Sequence, residues 1–195
     1  MYSSASRQRG VVLIYTLIIL LIMTIGAIAL VRSMHTSLFS AGNLAFRRDL
    51  VNQGEQATVN VINAFKTGAF SSSASTQSDN VAANYSSTML ATNAQGVPNV
   101  LLESDTAFSA VGSTSNDIVG ATPDVKIRYI IDRLCNATGA SFATQCVQST
   151  ASPPGCMVPC NALPPPSATV YRLSVRVTGP RNTQTFLQTT FTKPD

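Results

Sequence analysis

The sequence predicts an α+β protein in which one long N-terminal helix packs on a small antiparallel sheet of about three to four strands. An uncharged run over residues 11–31 is followed by apolar residues at helical spacing, and no proline interrupts residues 11–65. Near the other end of the chain, two segments alternate apolar and polar residues as strands do. A helix laid on such a sheet buries the apolar faces of both in two layers.

Length and composition indicate an exported protein with one domain and an anchoring helix. The chain has 195 residues, of which only 11% are charged, and its net charge is +4. Loss of Arg7 and Arg9 with an N-terminal leader would leave eleven basic and nine acidic residues, a net charge of +2. This charge is too small to indicate a polyanionic partner.

The first element, residues 11–31, has the length of a membrane span. At about 1.5 Å rise per residue, a helix of this length covers a hydrocarbon core about 30 Å thick. Arg7 and Arg9 precede the apolar run and Arg32 follows it. This arrangement favours a cytoplasmic N-terminus and a C-terminal domain in the periplasm.

Three interpretations of the N-terminus compete. A cleaved secretory signal would use the small residues Ala27 and Ala29, although the apolar run is long for a signal. An uncleaved anchor would keep the whole chain. In the third interpretation a peptidase cuts on the cytoplasmic side, after Gly10, so that Val11 becomes the new N-terminus.

The third interpretation is supported by a resemblance to a known family. Arg9-Gly10 before the apolar run resembles a type IV prepilin cleavage site. Residues 41–44 (AGNL) and 49–57 (DLVNQGEQA) resemble the N-terminal region of PilX-type minor pilins, and residues 169–191 resemble their C-terminal strand pair. The resemblance covers both ends of the chain and leaves roughly the middle third without support.

The resemblance implies a pilin-like fold and a structural, non-enzymatic role without a cofactor. The subunit would wait in the inner membrane, be cleaved by prepilin peptidase and N-methylated, and then enter the pilus on the cell surface. Its implied partners are other minor pilins, the major pilin and a pilus-tip adhesin. With them it would prime assembly at the tip and support adhesion and twitching motility.

The resemblance also assigns the apolar helix to the filament core, with Tyr15, Leu20, Met23 and Gly26 among its core residues. Most pilins carry a glutamate at the fifth mature position, where it contacts the amino terminus of a neighbouring subunit. Here that position is Tyr15, which cannot form the ion pair. The substitution suits a minor subunit at or near the tip better than a repeating shaft subunit.

The helix is predicted to continue through an amphipathic second half, residues 32–67. Its apolar stripe recurs at steps of three and four and comprises Phe46, Leu50, Gly54, Ala57, Val61 and Phe65. Arg48, Asn52 and Glu55 lie on another face. Residues 68–124 form a polar connecting region whose short apolar pieces the sequence does not assign.

Residues 125–195 are predicted to form the sheet. Val125, Ile127, Tyr129 and Ile131 face one way and Lys126 and Arg128 the other, and residues 171–178 alternate in the same manner. Residues 179–182 form a turn, and residues 183–192 are rich in threonine and phenylalanine. Three strands in meander order would cover Ala57, Val61 and Phe65.

All four cysteines, Cys135, Cys146, Cys156 and Cys160, lie in or beside the loop 135–167 between the first two predicted strands. Only Cys156 and Cys160 have zinc-ligand spacing, and an exported domain is oxidised, so two disulfides are favoured over a metal. Sequential pairing (135–146 and 156–160) and nested pairing (135–160 and 146–156) both fit. The disulfide-stapled loop is either a contact surface or a cover for the sheet edge.

The sequence offers little for catalysis or nucleic-acid binding. His35 is the only histidine, and Glu103 and Asp105 are more simply solvated carboxylates than an acid–base pair. Lys126, Arg128, Arg172, Arg176 and Arg181 could line one sheet face, but such residues commonly serve solubility, so nucleic acid is an unlikely partner. Two alternatives to the pilus subunit remain: a minor pseudopilin of type II secretion, and a membrane-anchored or secreted periplasmic binding domain.

Overall fold

The computed structural model describes residues 9–150 and 167–194 and has the α+β architecture that the sequence predicts. Its first element, α1, is one helix over Arg9–Lys66. The chain divides into two compact units, Met1–Arg47 and Arg48–Asp195. The first unit contains the beginning of α1. The second contains the rest of α1 and the sheet.

The second unit has one further short helix and a six-stranded sheet within the described residues. The strands are β1 (Tyr85–Ser86), β2 (Ile118–Val119), β3 (Lys126–Arg133), β4 (Gln148–Thr150), β5 (Ser167–Thr178) and β6 (Gln184–Pro194), and the helix is α2 (Asp105–Phe108). Single 3-10 turns lie at Ala74–Thr76, Val81–Ala83, Asn99–Leu101, Thr114–Asn116 and Pro180–Asn182.

The three long strands form the antiparallel meander that alternation predicts. β3 pairs with β5 from Lys126↔Thr178 to Arg133↔Tyr171. β5 pairs with β6 in unbroken register from Thr178↔Gln184 to Ala168↔Pro194. The short strands make the sheet mixed, because β1 joins β3 in parallel whereas β2 and β4 add antiparallel pairs.

One sheet face receives the second half of α1, and the predicted apolar stripe is the part that packs there. Leu50, Ala57, Val61 and Phe65 are buried. Burying four such residues supplies most of what holds an amphipathic helix in place, because helix propensity alone contributes little. Arg48 and Glu55, which are predicted to lie on another face than the stripe, are exposed.

The end of α1 is fixed by a cluster of aromatic rings. The ring of Phe65 lies 5.0 Å from that of Phe70, 4.9 Å from that of Tyr171 and 4.8 Å from that of Phe191, measured between centroids. The ring of Tyr85 is tilted against that of Phe70, with their centroids 4.7 Å apart, and its hydroxyl donates a hydrogen bond to the carbonyl of a residue in the connecting region. Burial raises the pKa of Tyr85 well above its usual value, so the hydroxyl stays protonated.

The helix lies close against the sheet at Gly54. A Cβ atom there would lie 2.9 Å from Leu187 Cδ1 and 2.9 Å from Val177 Cγ2. We expect Gly54→Leu to lower the free energy of unfolding by about 1–3 kcal/mol, because overpacking outweighs the gain in helix propensity. Thermal unfolding of the full chain in detergent micelles measures this. Gly42→Leu is the matched control, because nothing lies within 4 Å of a Cβ at Gly42; equal destabilisation by both would contradict the close packing.

The other sheet face is covered by the connecting region. Leu101, Phe108 and Ile130 form a buried apolar cluster on this face, with partly buried Val97 and Val111 against it. Lys126 and Arg128 lie on this side of the sheet, as the alternation predicts; Lys126 is exposed, but the connecting region buries Arg128. The short apolar pieces that the sequence leaves unassigned therefore form the third layer of the head.

Cys135 and Cys146 form a disulfide between β3 and β4. This bond belongs to the sequential pairing and is incompatible with the nested one. Cys156 and Cys160 lie outside the described residues. Their pairing, and whether loop 135–167 serves as a contact surface, therefore stay predictions.

Removing this disulfide should have a moderate effect, because the two cysteines are eleven positions apart. We expect the double variant Cys135→Ser, Cys146→Ser to lose about 2–3 kcal/mol of stability, mainly through the freer unfolded chain. Denaturant unfolding under oxidising conditions measures the loss. Wild type with added reductant should approach the variant, and an unchanged midpoint in both would contradict a stabilising bond.

Candidate functional site

The beginning of α1 presents an apolar surface that no other part of its own unit covers. Every large apolar side chain over residues 11–31 is exposed, from 47% for Ile18 to 71% for Met23. The best 18-residue window has a mean hydropathy of 2.8, and none of it is buried. The helix is therefore long and apolar enough to span a membrane.

The predicted filament-core residues all belong to this uncovered surface. Tyr15, Leu20 and Met23 are each more than half exposed, and a Cβ at Gly26 would meet nothing within 4 Å. At 100° per residue, Tyr15 and Gly26 lie on nearly the same side of the helix, whereas Leu20 and Met23 lie on other sides. The helix thus offers apolar surface in several directions at once.

The two threonines of this segment bond their hydroxyls back into the helix. The hydroxyl of Thr16 donates to the carbonyl of Leu13 at 2.9 Å, and that of Thr24 donates to the carbonyl of Leu21 at 2.8 Å. Threonine hydroxyls bonded back into their own helix carry little cost in lipid or in a dry protein interface. The segment is therefore suited to an apolar environment over its whole length.

The predicted cleavage position lies at the very start of this helix. α1 begins at Arg9, so the Gly10–Val11 bond falls in its first turn. The rest of the predicted leader, residues 1–8, lies outside the described chain.

The second unit carries a cluster of ion pairs between the sheet and the connecting region. Arg128 is 1% exposed; its Nε and Nη2 donate to the two carboxylate oxygens of Asp117 at 2.9 and 2.7 Å, and its Nη1 donates to Asp105 at 2.8 Å. The guanidinium carbon lies 4.6 Å from the centre of the Phe108 ring. The hydrogen bonds to Asp117 raise the pKa of Arg128, and that from Arg128 lowers the pKa of Asp105.

A second ion pair lies further along the same face. Arg172 donates through Nε and Nη2 to both carboxylate oxygens of Asp132, which is completely buried. The backbone of Leu90 bonds both members of this ion pair. Its N–H donates to Asp132 at 3.0 Å, and its carbonyl accepts from Arg172 at 3.1 Å. The sheet thereby holds the connecting region at a defined position.

Arg176 completes this row of basic residues. Its Nη1 donates to the carbonyl of Leu101, while its Nε has no hydrogen-bond partner in the described chain. Burial lowers the pKa of Arg176, and repulsion from Arg128 adds to the effect. Of the predicted basic face, Arg128 and Arg172 are therefore buried and paired inside the head, whereas Lys126 and Arg181 stay exposed.

The sequence placed the basic residues on one face but missed their carboxylate partners. Asp132 lies four residues after Arg128 on the same strand, so alternation puts both on one side. That spacing was a usable signal. Asp105 and Asp117 come from the connecting region, whose sequence carries no periodic pattern that points to the sheet.

The remaining candidate side chains are not brought together. His35 is exposed in the first unit, Glu103 is exposed in the second, and Asp105 binds Arg128. Over residues 9–150 and 167–194, no group of three or more histidine, cysteine, aspartate or glutamate side chains is placed to hold a metal ion. The exposed apolar helix is the feature that most clearly calls for a functional explanation.

Comparisons of the chain with protein-family models, with curated proteins and with solved structures found no match.

Proposed function

We propose that the chain is a minor subunit of a type IV pilus, of the PilX type. The observation that carries the proposal is the fully uncovered apolar segment 11–31 at the start of α1, whose later part packs on a sheet. An apolar surface of this size needs lipid or other apolar helices around it. The flanking residues resemble prepilin and PilX-type sequences. This resemblance favours an environment of other pilin helices, entered from the membrane.

In this proposal one segment serves two environments in turn. The precursor is held in the inner membrane by residues 11–31 and is cleaved after Gly10. It then moves into the filament, where the same side chains contact helices of neighbouring pilins in place of lipid. Tyr15 cannot supply the carboxylate that a shaft subunit uses, so the subunit acts near the tip, where it helps to prime assembly. No catalytic step is involved.

The test is the N-terminus and mass of the mature protein, purified from its native envelope. We expect a chain that starts at N-methylated Val11. A start at Leu30 would indicate an ordinary exported protein, and an intact Met1 would indicate a membrane-anchored domain. Either result would overturn the proposal.

Two glycine variants sharpen this test. Gly10→Leu should keep its leader, because a bulky side chain replaces the residue before the cut. Gly26→Leu should be processed normally, because nothing surrounds Gly26 in its own chain. If both variants lose their leader to the same extent, cleavage does not depend on Gly10. A pseudopilin would be processed in the same way, so deletion of the pilus and of the secretion machinery separates those two assemblies.

A further inference from the structure

The outer edge of β6 is long and regular, and the residues that commonly guard such an edge, Lys193 and Pro194, lie only at its C-terminal end. β6 pairs only with β5, and among the described residues no other backbone group bonds to it. Its register over eleven residues contains no bulge, and residues 184–192 (QTFLQTTFT) contain no charge, proline or glycine. Natural sheets guard exposed edges with these very devices. Their absence over residues 184–192 indicates that this part of the edge receives another strand.

Two cavities lie beside this edge at the same position along β6, one on each sheet face. The first, of about 380 Å³, lies on the face that carries the ion pairs. The second, of about 390 Å³, lies on the face that carries α1. Both include Phe186, Leu187 and Gln188 in their walls, so both open beside the middle of β6. Successive side chains of a strand point to opposite faces, and an added strand would therefore place neighbouring residues into the two cavities.

The first cavity has an uncharged lining with an unused polar group. Val97, Leu101 and Phe186 supply its apolar walls, and Gln95 and Gln188 supply amides. Ser174 also lines it; this residue is 2% exposed, and its hydroxyl has no hydrogen-bond partner within the described residues. A buried hydroxyl without a partner is costly, and a ligand hydroxyl would satisfy it. An aromatic side chain with a hydroxyl, as in tyrosine, fits this cavity.

The second cavity has one charged group, Glu55. Val51 and Leu187 supply apolar surface, and Thr58 adds a hydroxyl. Among the described residues, Glu55 forms no ion pair. A lysine or arginine side chain suits this cavity, because its apolar stem covers Leu187 while its charge reaches Glu55.

We infer that the outer edge of β6 binds an extended segment of another polypeptide as an added strand, with a tyrosine in the cavity at Ser174 and the next residue, a lysine or arginine, in the cavity at Glu55. Backbone hydrogen bonds to β6 supply affinity, and the two cavities supply specificity. The inference rests on the second unit alone and holds whether or not the chain belongs to a pilus.

Two peptides of identical composition test the inference on the full chain in detergent micelles. In acetyl-TTYKTT-amide the two anchor side chains point to opposite faces, and in acetyl-TTYTKT-amide they point to the same face. At millimolar concentration the first peptide should bind and slow amide hydrogen exchange at alternate residues of β6, whereas the second should bind more weakly. Lack of binding of TTYKTT, equal binding of both peptides, or binding without protection of β6 would each overturn the inference.

A pair of variants tests the assignment of the charged cavity. Glu55→Gln should weaken TTYKTT binding about three-fold, the size expected for one partly exposed ion pair. Glu103→Gln removes another exposed carboxylate away from both cavities and should leave binding unchanged. An equal effect of the two variants would show general charge attraction in place of the proposed site.

Discussion

Asp132→Ala should destabilise the second unit by about 3–5 kcal/mol, because it leaves the guanidinium of Arg172 buried without its carboxylate. Asp132 is completely buried, and both of its oxygens accept hydrogen bonds from Arg172. The substitution also removes the acceptor for the backbone N–H of Leu90. Since domains are stable by only about 5–15 kcal/mol, this loss is a large share of the total stability. Urea unfolding of the full chain in detergent measures the loss.

Asp124→Ala is the matched control for this prediction. Asp124 precedes β3, is exposed, and makes no ion pair among the described residues, so its loss should change stability by less than about 0.5 kcal/mol. The double variant Asp132→Leu, Arg172→Met should recover much of the stability, because apolar replacement of a buried ion pair is often nearly neutral. If Asp132→Ala were as mild as Asp124→Ala, the pair would not hold the connecting region.

The sequence predicted the elements in which apolar residues recur at a fixed spacing. It missed the layer formed by the connecting region, where they do not. The stripe from Leu50 to Phe65 and the alternation in β3 and β5 each arise from one period of the backbone, so they are visible locally. The sheet face opposite α1 is covered through contacts between separate segments of the sequence. Examples are the contact of Arg128 with Asp117 and that of Arg172 with the backbone of Leu90. A backbone carbonyl as a partner leaves no trace in the sequence.

The candidate sites differ in the same way. The uncovered helix could be predicted because it depends only on composition and length over residues 11–31. The cavities beside β6 could not, because their walls combine β6 with segments distant in the sequence: the turn holding Gln95 for one cavity and the second half of α1 for the other. The sequence of β6 showed only a strand rich in threonine and phenylalanine.

On the proposed pilus function, Leu20→Asp should abolish incorporation of the chain into surface filaments. Leu20 lies at the middle of residues 11–31 and is 66% exposed, so its side chain must meet lipid or a neighbouring helix. A charge at the centre of a membrane helix costs about 2.5–3.5 kcal/mol, which corresponds to a factor of about 100 in the partition between membrane and water. Membrane fractionation and immunodetection of the subunit in sheared filaments measure the two stages.

The control places the same charge on the same helix beyond the apolar segment. Gln56→Asp introduces an aspartate at an exposed position of the second unit, so it should leave both membrane retention and incorporation unchanged. Leu20→Asp can still be retained in part, because its flanking apolar residues remain. Filament incorporation should nevertheless fail, since a helix packed among apolar neighbours has no water with which to solvate the carboxylate. Normal incorporation of Leu20→Asp would therefore refute a filament-core role for the segment even if the protein stays in the membrane.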